Sequence, residues 1–258
     1  MLEICWFSTG RDEEALMLLD QAIQAVKSKK INGKISLCFL NRELGESYHS
    51  DKLIELAKKG GIPVETLSTK RFLSEKGLSL NEGRKLFDEE VLKRIERYRF
   101  DLIFLAGYML IVSDTLFDRY TVLNLHPSLP GKYKGKWEDV ITKIIENGEK
   151  SFGAMIHIVT DRLDEGPTVA YCKVSVSGDE IDSLYEKAQK GDKLSFHKLF
   201  RLIREKEFSL ETPLIMETLS AISYGKIKIM GKKVFFENQE LVNGVDLTHT
   251  ILKNGMGL

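Results

Sequence analysis

Cysteine, net charge and long apolar runs are all scarce, and each scarcity removes a class of protein. The three cysteines, Cys5, Cys38 and Cys172, are odd in number. Each sits inside an apolar, strand-like run, which reads as a buried free thiol in a reducing compartment. No Cys/His spacing resembles a zinc site, and no metal is expected. The 38 basic residues are balanced by 38 acidic ones. Formal charge is therefore zero, which gives no general field for nucleic acid, and no convincing local basic patch replaces it. No apolar stretch is long enough to span a bilayer, so no membrane partner is expected. The opening residues, MLEICWFSTGRDEE, lack the basic start and small-residue cleavage site of a signal peptide. Together these features point to a soluble, cytoplasmic protein. Internal repeats, low-complexity tracts and long linkers are missing too.

What is present is a chain of 258 residues, 43% of them hydrophobic, enough for one large domain with an appendage. LEICWFS reads as a buried strand, followed by a helix with acids in its first turn, DEEALMLLDQAIQAVKSKK. The alternation continues through KISLCFLN, SDKLIELAKKGG, PVETLS, the amphipathic LNEGRKLFDEEVLKRIERY, DLIFLAG and TVLNLH. Strands that are apolar on both faces and alternate with helices predict a mostly parallel, Rossmann-like open α/β sheet flanked by helices. The order then changes. FGAMIHIVT and PTVAYCKVSV, joined by a polar turn, predict an antiparallel hairpin on that sheet. Three helices are expected near residues 180–190, 194–206 and 210–222, then a hairpin turning at Gly231 and a tail from Val242 that is thin in large apolar residues and either packs as an arm or frays. The partition is 1–178 for the α/β domain and 179–258 for C-terminal helices and hairpin packed on it.

The polar residues gather at strand ends. Asn124 and His126 close the strand TVLNLH. Residues two apart on a strand share a face, and ligands of open parallel sheets bind beyond the carboxyl ends of the strands. An isolated Asn-x-His pair favours a structural role shaping the exit into Pro127, and only its place at the strand end makes a functional role equally weighted. The turn TDRLDEGP adds Asp161 and Asp164. An amide donates to a developing oxyanion, an imidazole moves a proton near neutral pH, and a carboxylate holds that imidazole charged or accepts a proton through water. No Ser or Cys stands where a nucleophile would, which suggests direct attack by a substrate.

NLHPSL followed by FGAMIHIVTDRLDEGP resembles the folate-dependent formyltransferases, most closely the phosphoribosylglycinamide formyltransferase family. LAGYM, GRKLFDEEV and GKIKIMGKKVFFE are similar to further segments of that family, so the likeness runs from residue 1 to about 240. It implies the formyltransferase fold and transfer of a formyl group from 10-formyltetrahydrofolate, as co-substrate, to a small-molecule amine acceptor. Phosphoribosylglycinamide or a related amine is the first expectation, which would place the protein in purine biosynthesis. By the same resemblance, Asn124 and His126 bind the oxygen of the tetrahedral intermediate. Asp164 sustains charge on His126 and helps move a proton from the amine. The folate donor meets Met109, Leu110, Ile111, Val112, Val159 and Asp161, with Arg84 near its carboxylate tail. His157 matches a histidine inside the sheet and reads as a satisfied core residue rather than a catalytic one. A homodimer is compatible with the family.

The likeness is weakest on the acceptor side. The family's phosphate-cradling loop after the first strand becomes STGRDEEA, which keeps Gly10 and offers Arg11 and Asp12 as candidate substrate contacts. Asp12, Glu13 and Glu14 would repel a phosphate that Arg11 compensates only in part. Downstream, SLPGKYKGKWEDVI departs from the family pattern. Laying FHKLF on the family's ribose-binding segment puts Phe196 in place of a glutamate. Another acceptor such as an amino sugar, or a non-catalytic folate- or nucleotide-binding relative, therefore remains open. A methionyl-tRNA acceptor and a formyltetrahydrofolate hydrolase rank lower.

Overall fold

The structure, a computed structural model, describes residues 1–255. It forms two compact units. The first comprises 1–124, 158–161 and 219–226; the second comprises 125–157, 162–218 and the chain from 227 onward.

The first unit begins with β1 (Leu2–Ser8), α1 (Glu13–Lys27) and β2 (Gly33–Leu40). It continues through α2 (Tyr48–Lys59), β3 (Val64–Thr66), α3 (Thr69–Lys76) and α4 (Leu80–Ile95) to β4 (Leu102–Leu105) and α5 (Asp114–Phe117). It ends in β5, Thr121–His126, whose last two residues belong to the second unit. The order β5-β4-β1-β2-β3 is parallel throughout. Start signals are local: Asp12 caps α1 by accepting from Ala15 N at 3.2 Å, and Ser79 with Glu82 forms a capping box on α4. The apolar faces meet in a core that includes Phe7, Phe39, Phe87, Ile95, Ile103 and Val122. Burial of such side chains drives the assembly at roughly 1.5–3 kcal/mol each.

The second unit holds α6 (Trp137–Glu146) and the antiparallel pair β6 (Ser151–Ile158) and β7 (Thr168–Ser175). Next come α7 (Asp179–Gln189) and α8 (Lys193–Ser223). Val140, Ile144, Phe152, Tyr185, Leu199 and Ile203 share its core. A separate small sheet follows, of β8 (Ile227–Met230), β9 (Lys233–Phe236) and β10 (Gln239–Leu241). The chain then lays β11 (Val245–Asp246) parallel to β7, and the last described residues form α9 (Thr248–Gly255).

Mostly parallel strands flanked by helices, with an antiparallel pair late in the chain, are the architecture the pattern predicted. Two details differ. The expected helices at 194–206 and 210–222 are one helix, α8, with Pro213 inside it. Residues 207–209, between the two expected helices, continue the helical path, and Ser209 Oγ donates to Lys206 O at 2.7 Å. A short helix, α3, appears where none was expected, started by Ser68 on Arg71 N and stopped by Gly77 at φ +64°. Of the two outcomes open for the tail, its described residues take the packed one, through β11 and α9. Among the described residues, no helix is long and apolar enough to cross a membrane. The three thiols are free and buried.

Candidate active site

His126 ends β5 and is 3% exposed. Its Nδ1 lies 3.7 Å from Asp164 Oδ2, and its Nε2 lies 2.8 Å from the carbonyl oxygen of Tyr133. Asp164 sits in the β6–β7 turn at φ +56°, a left-handed conformation that a non-glycine residue adopts only with support. The support is visible: Gly135 N donates to Asp164 Oδ2 at 3.0 Å, and His157 Nε2 stands 3.6 Å from Asp164 Oδ1. The two imidazoles meet edge to face at 6.4 Å between centroids. One carboxylate thus serves two buried histidines.

Burial pulls the His126 pKa below its ordinary value, against the opposing pull of the Asp164 charge and the Tyr133 carbonyl. The neutral imidazole is the resting form. Burial pushes Asp164 upward, but the hydrogen bond from His157, the field of His126 and the Gly135 N–H outweigh it and hold the carboxyl below its ordinary range. Such an imidazole accepts a proton readily only if the product cation is stabilised, and Asp164 supplies that charge. Asn124, two residues earlier on β5, is half-buried, and its backbone aligns with Leu105 of β4.

The first unit has its own topological switch point. β1 lies between β4 and β2, so the connections leaving β1 and leaving β4 run in opposite directions, the place where open sheets take ligands. The loops after β1 and β4 are laced together: Thr9 N donates to Gly107 O at 3.1 Å and Met109 N to Thr9 Oγ1 at 2.9 Å. Arg11 reaches Met109 Sδ at 3.3 Å and Asp12 Oδ2 at 2.8 Å. Sequence-remote candidates from the acceptor and donor loops are therefore neighbours. Gly10 has φ +57°, and a Cβ there would stand 2.8 Å from Ser50 Cα, so the position requires glycine. Asp12 spends its carboxylate on the α1 cap and Arg11, with Glu13 and Glu14 behind it in the first turn.

Of the donor-loop candidates, Met109 and Ile111 are exposed, Val112 is buried in the core, and Leu110 packs partly against that core. Val159 packs on the same core and donates its N–H to Val122 O at 2.8 Å, while Asp161 is exposed. Arg84 bonds Asn81 Oδ1 on its own helix at 3.1 Å. Phe196 packs beside the second-unit core.

Sequence reasoning missed two groups. Tyr133 O and Gly135 N are backbone atoms in a loop that departs from the family, and no side-chain pattern announces them. His157 was read as a core residue, and it is buried; its position on the strand leading into the Asp164 turn was the available signal for their proximity.

Comparison with known proteins follows the same line. The formyl transferase family profile matches residues 15–198. The phosphoribosylglycinamide formyltransferase of Escherichia coli K12 is 33% identical over 66% of this chain and 74% of its own length. That of Dictyostelium discoideum is 30% identical over 73% of this chain and 93% of its length. The solved structure of the Coxiella burnetii phosphoribosylglycinamide formyltransferase superposes with a TM-score of 0.68 at 24% identity, covering 95% of this chain and 98% of that one, a likeness of fold.

Proposed function

The chain belongs to the phosphoribosylglycinamide formyltransferase family, and from that premise we propose that it transfers the formyl group of 10-formyltetrahydrofolate to the amine of phosphoribosylglycinamide, in the cytoplasm. It is a folate-dependent formyltransferase; the acceptor, the formyl species of the donor and the residue roles are the proposal. The observation that carries it is the buried His126–Asp164 pair, 3.7 Å apart, at the end of a parallel strand.

The amine nitrogen attacks the formyl carbon directly. Asn124, on the strand face shared with His126, donates to the oxygen as negative charge develops. His126, neutral at rest, takes the proton released by the amine, and Asp164 stabilises the imidazolium. The proton returns to the departing folate nitrogen as its bond to carbon breaks. Gly10, Arg11 and Asp12 face the acceptor. Met109 to Val112, Val159 and Asp161 meet the pterin mainly through backbone groups, and Arg84 meets the carboxylate tail.

A second reading has one observation in its favour. The N-terminus of α1, ordinarily an anion site, already carries Asp12 as cap with Glu13 and Glu14 in its first turn. An acceptor without phosphate, such as an amino sugar, would meet less repulsion there. Turnover of 10-formyltetrahydrofolate with a panel of amines separates the two. Phosphoribosylglycinamide is expected to be formylated most efficiently, and Asn124→Ala to lower kcat by about 10²–10³-fold. A wild-type rate in that variant would remove Asn124 from the chemistry, and preference for an unphosphorylated amine would establish the second reading.

A further inference from the structure

The loop from Pro127 to Lys136 makes a backbone clasp on the His126–Asp164 pair. His126 Nε2 is 2.8 Å from Tyr133 O, and a carbonyl oxygen can only accept. Nε2 therefore carries hydrogen in both the neutral and the charged ring. The lone pair of the neutral ring is then on Nδ1, which faces Asp164 Oδ2. Two residues beyond Tyr133, Gly135 N donates to that same oxygen at 3.0 Å.

Tyr133 is itself held at every polar atom. Its N–H donates to the buried Ser128 Oγ at 3.0 Å. Its phenol donates to Glu149 Oε1 at 2.6 Å and accepts from Asn147 Nδ2 at 2.7 Å. The Lys143 ammonium lies 6.0 Å from the ring centroid, and Lys132 pairs with Glu149 at 3.2 Å. Side-chain anchoring of this density, on a residue whose carbonyl touches the central imidazole, argues for more than loop packing.

We propose that Tyr133 is a positioning residue: anchored through its hydroxyl, it presents the carbonyl that fixes His126 as the Nε2–H tautomer and leaves Nδ1, beside Asp164, as the nitrogen that receives the amine proton. The inference rests on the reading of His126 as proton acceptor. In the step, the amine lone pair forms the bond to the formyl carbon and the amine proton passes to Nδ1. The bond between carbon and the folate nitrogen then breaks, leaving its electron pair on that nitrogen, which takes the proton back. The charged and titratable groups around the ring are Asp164 and His157; those around the anchor are Glu149, Lys132 and Lys143.

The test is histidine ¹⁵N NMR of the full chain together with steady-state kinetics. Wild-type His126 is expected to show the Nε2–H pattern at neutral pH. Tyr133→Phe deletes only the hydroxyl. It should give a mixture of tautomers, a three- to ten-fold lower kcat, unchanged KM for donor and acceptor, and an acid limb of kcat moved to lower pH. Glu149→Ala should reproduce these effects and Glu149→Gln should largely restore the wild-type pattern, which also covers a Tyr133→Phe chain that fails to fold. An Nδ1–H tautomer in the wild type, or variants that keep both tautomer and kcat, would overturn the proposal. If no amine is formylated at all, the functional reading fails while the NMR result still judges the anchor.

Discussion

Asp164 stands within 3.7 Å of one imidazole and 3.6 Å of another, with its carboxyl held below the ordinary range, and the proposed chemistry at the residue scale turns on that pairing. Its charge raises the His126 pKa, but burial wins and the ring remains neutral at rest. If neutral His126 receives the proton, activity rises with pH through the His126 pKa, below the ordinary histidine value, and levels off near neutrality. Asp164→Asn removes the charge that opposes burial. The His126 pKa then falls further, so the acid limb of the kcat profile moves to lower pH. The plateau drops by about 10²–10⁴-fold, because the imidazolium has lost its counter-charge. An acid limb that moves upward, or an undiminished plateau, would contradict the assignment. Asn124, His126 and Asp164 were picked out in the sequence by a strand two-step, a polar turn and the family resemblance, and the structure brings His126 and Asp164 to 3.7 Å. The contacts from Tyr133 O and Gly135 N were not picked out, since any residue type supplies a carbonyl or an amide.

At the scale of the element, α8 is the helix the sequence described least well. Glu207, on its buried face, is 0% exposed, and neither carboxylate oxygen has a hydrogen-bond partner. Arg204, nearby, pairs with Glu211 at 2.6 Å and lies 4.7 Å over the Trp137 ring. Burial first, then the Glu211 charge, raise the Glu207 pKa from 4.5 to about 9. A buried acid on an amphipathic helix looks in sequence like a solvated one, so nothing in the pattern marked residues 207–209 as the interior of one helix. The linkage has a definite sign. Because the folded pKa lies above the unfolded one, the contribution is full below about pH 4.5 and is lost as pH rises toward about 9. Glu207→Gln cannot ionise, so the variant should melt progressively higher than wild type as pH increases from mildly acid to alkaline. The difference should reach a few kcal/mol near pH 9. Equal melting temperatures across that range would show that Glu207 is ionised and compensated in the folded chain.

For the whole molecule, what the sequence made plain was the repeating strand–helix alternation, because apolar runs and glycine stops recur at regular intervals through the first half. The segment after Val242 was opaque for the opposite reason: its apolar residues are few, and their burial depends on a strand seventy residues earlier. Val245, Leu247 and Ile251 are nonetheless 8%, 9% and 3% exposed. β11 aligns Val245 with Ala170, Leu247 N donates to Tyr171 O at 2.9 Å, and Lys173 N donates to Thr248 Oγ1 at 3.0 Å. Gly244, at φ +74°, permits the approach, since a Cβ there would stand 2.7 Å from Thr168 O. The segment thus closes an edge of β7 that would otherwise offer unpaired backbone groups to another chain. Three buried apolar side chains, taken at the lower end of roughly 1.5–3 kcal/mol each, amount to about 5 kcal/mol, against a total stability of about 5–15 kcal/mol for a typical fold. A chain ended after Leu241 should therefore melt about 10–15 °C lower and associate through the bared strand. Ile251→Ala should cost about 2–4 kcal/mol without exposing the edge, and so lower the melting temperature while leaving the protein's state of association unchanged. Thermal unfolding with light scattering distinguishes the two effects. If truncation left both the melting temperature and the scattering unchanged, the tail would have no structural role.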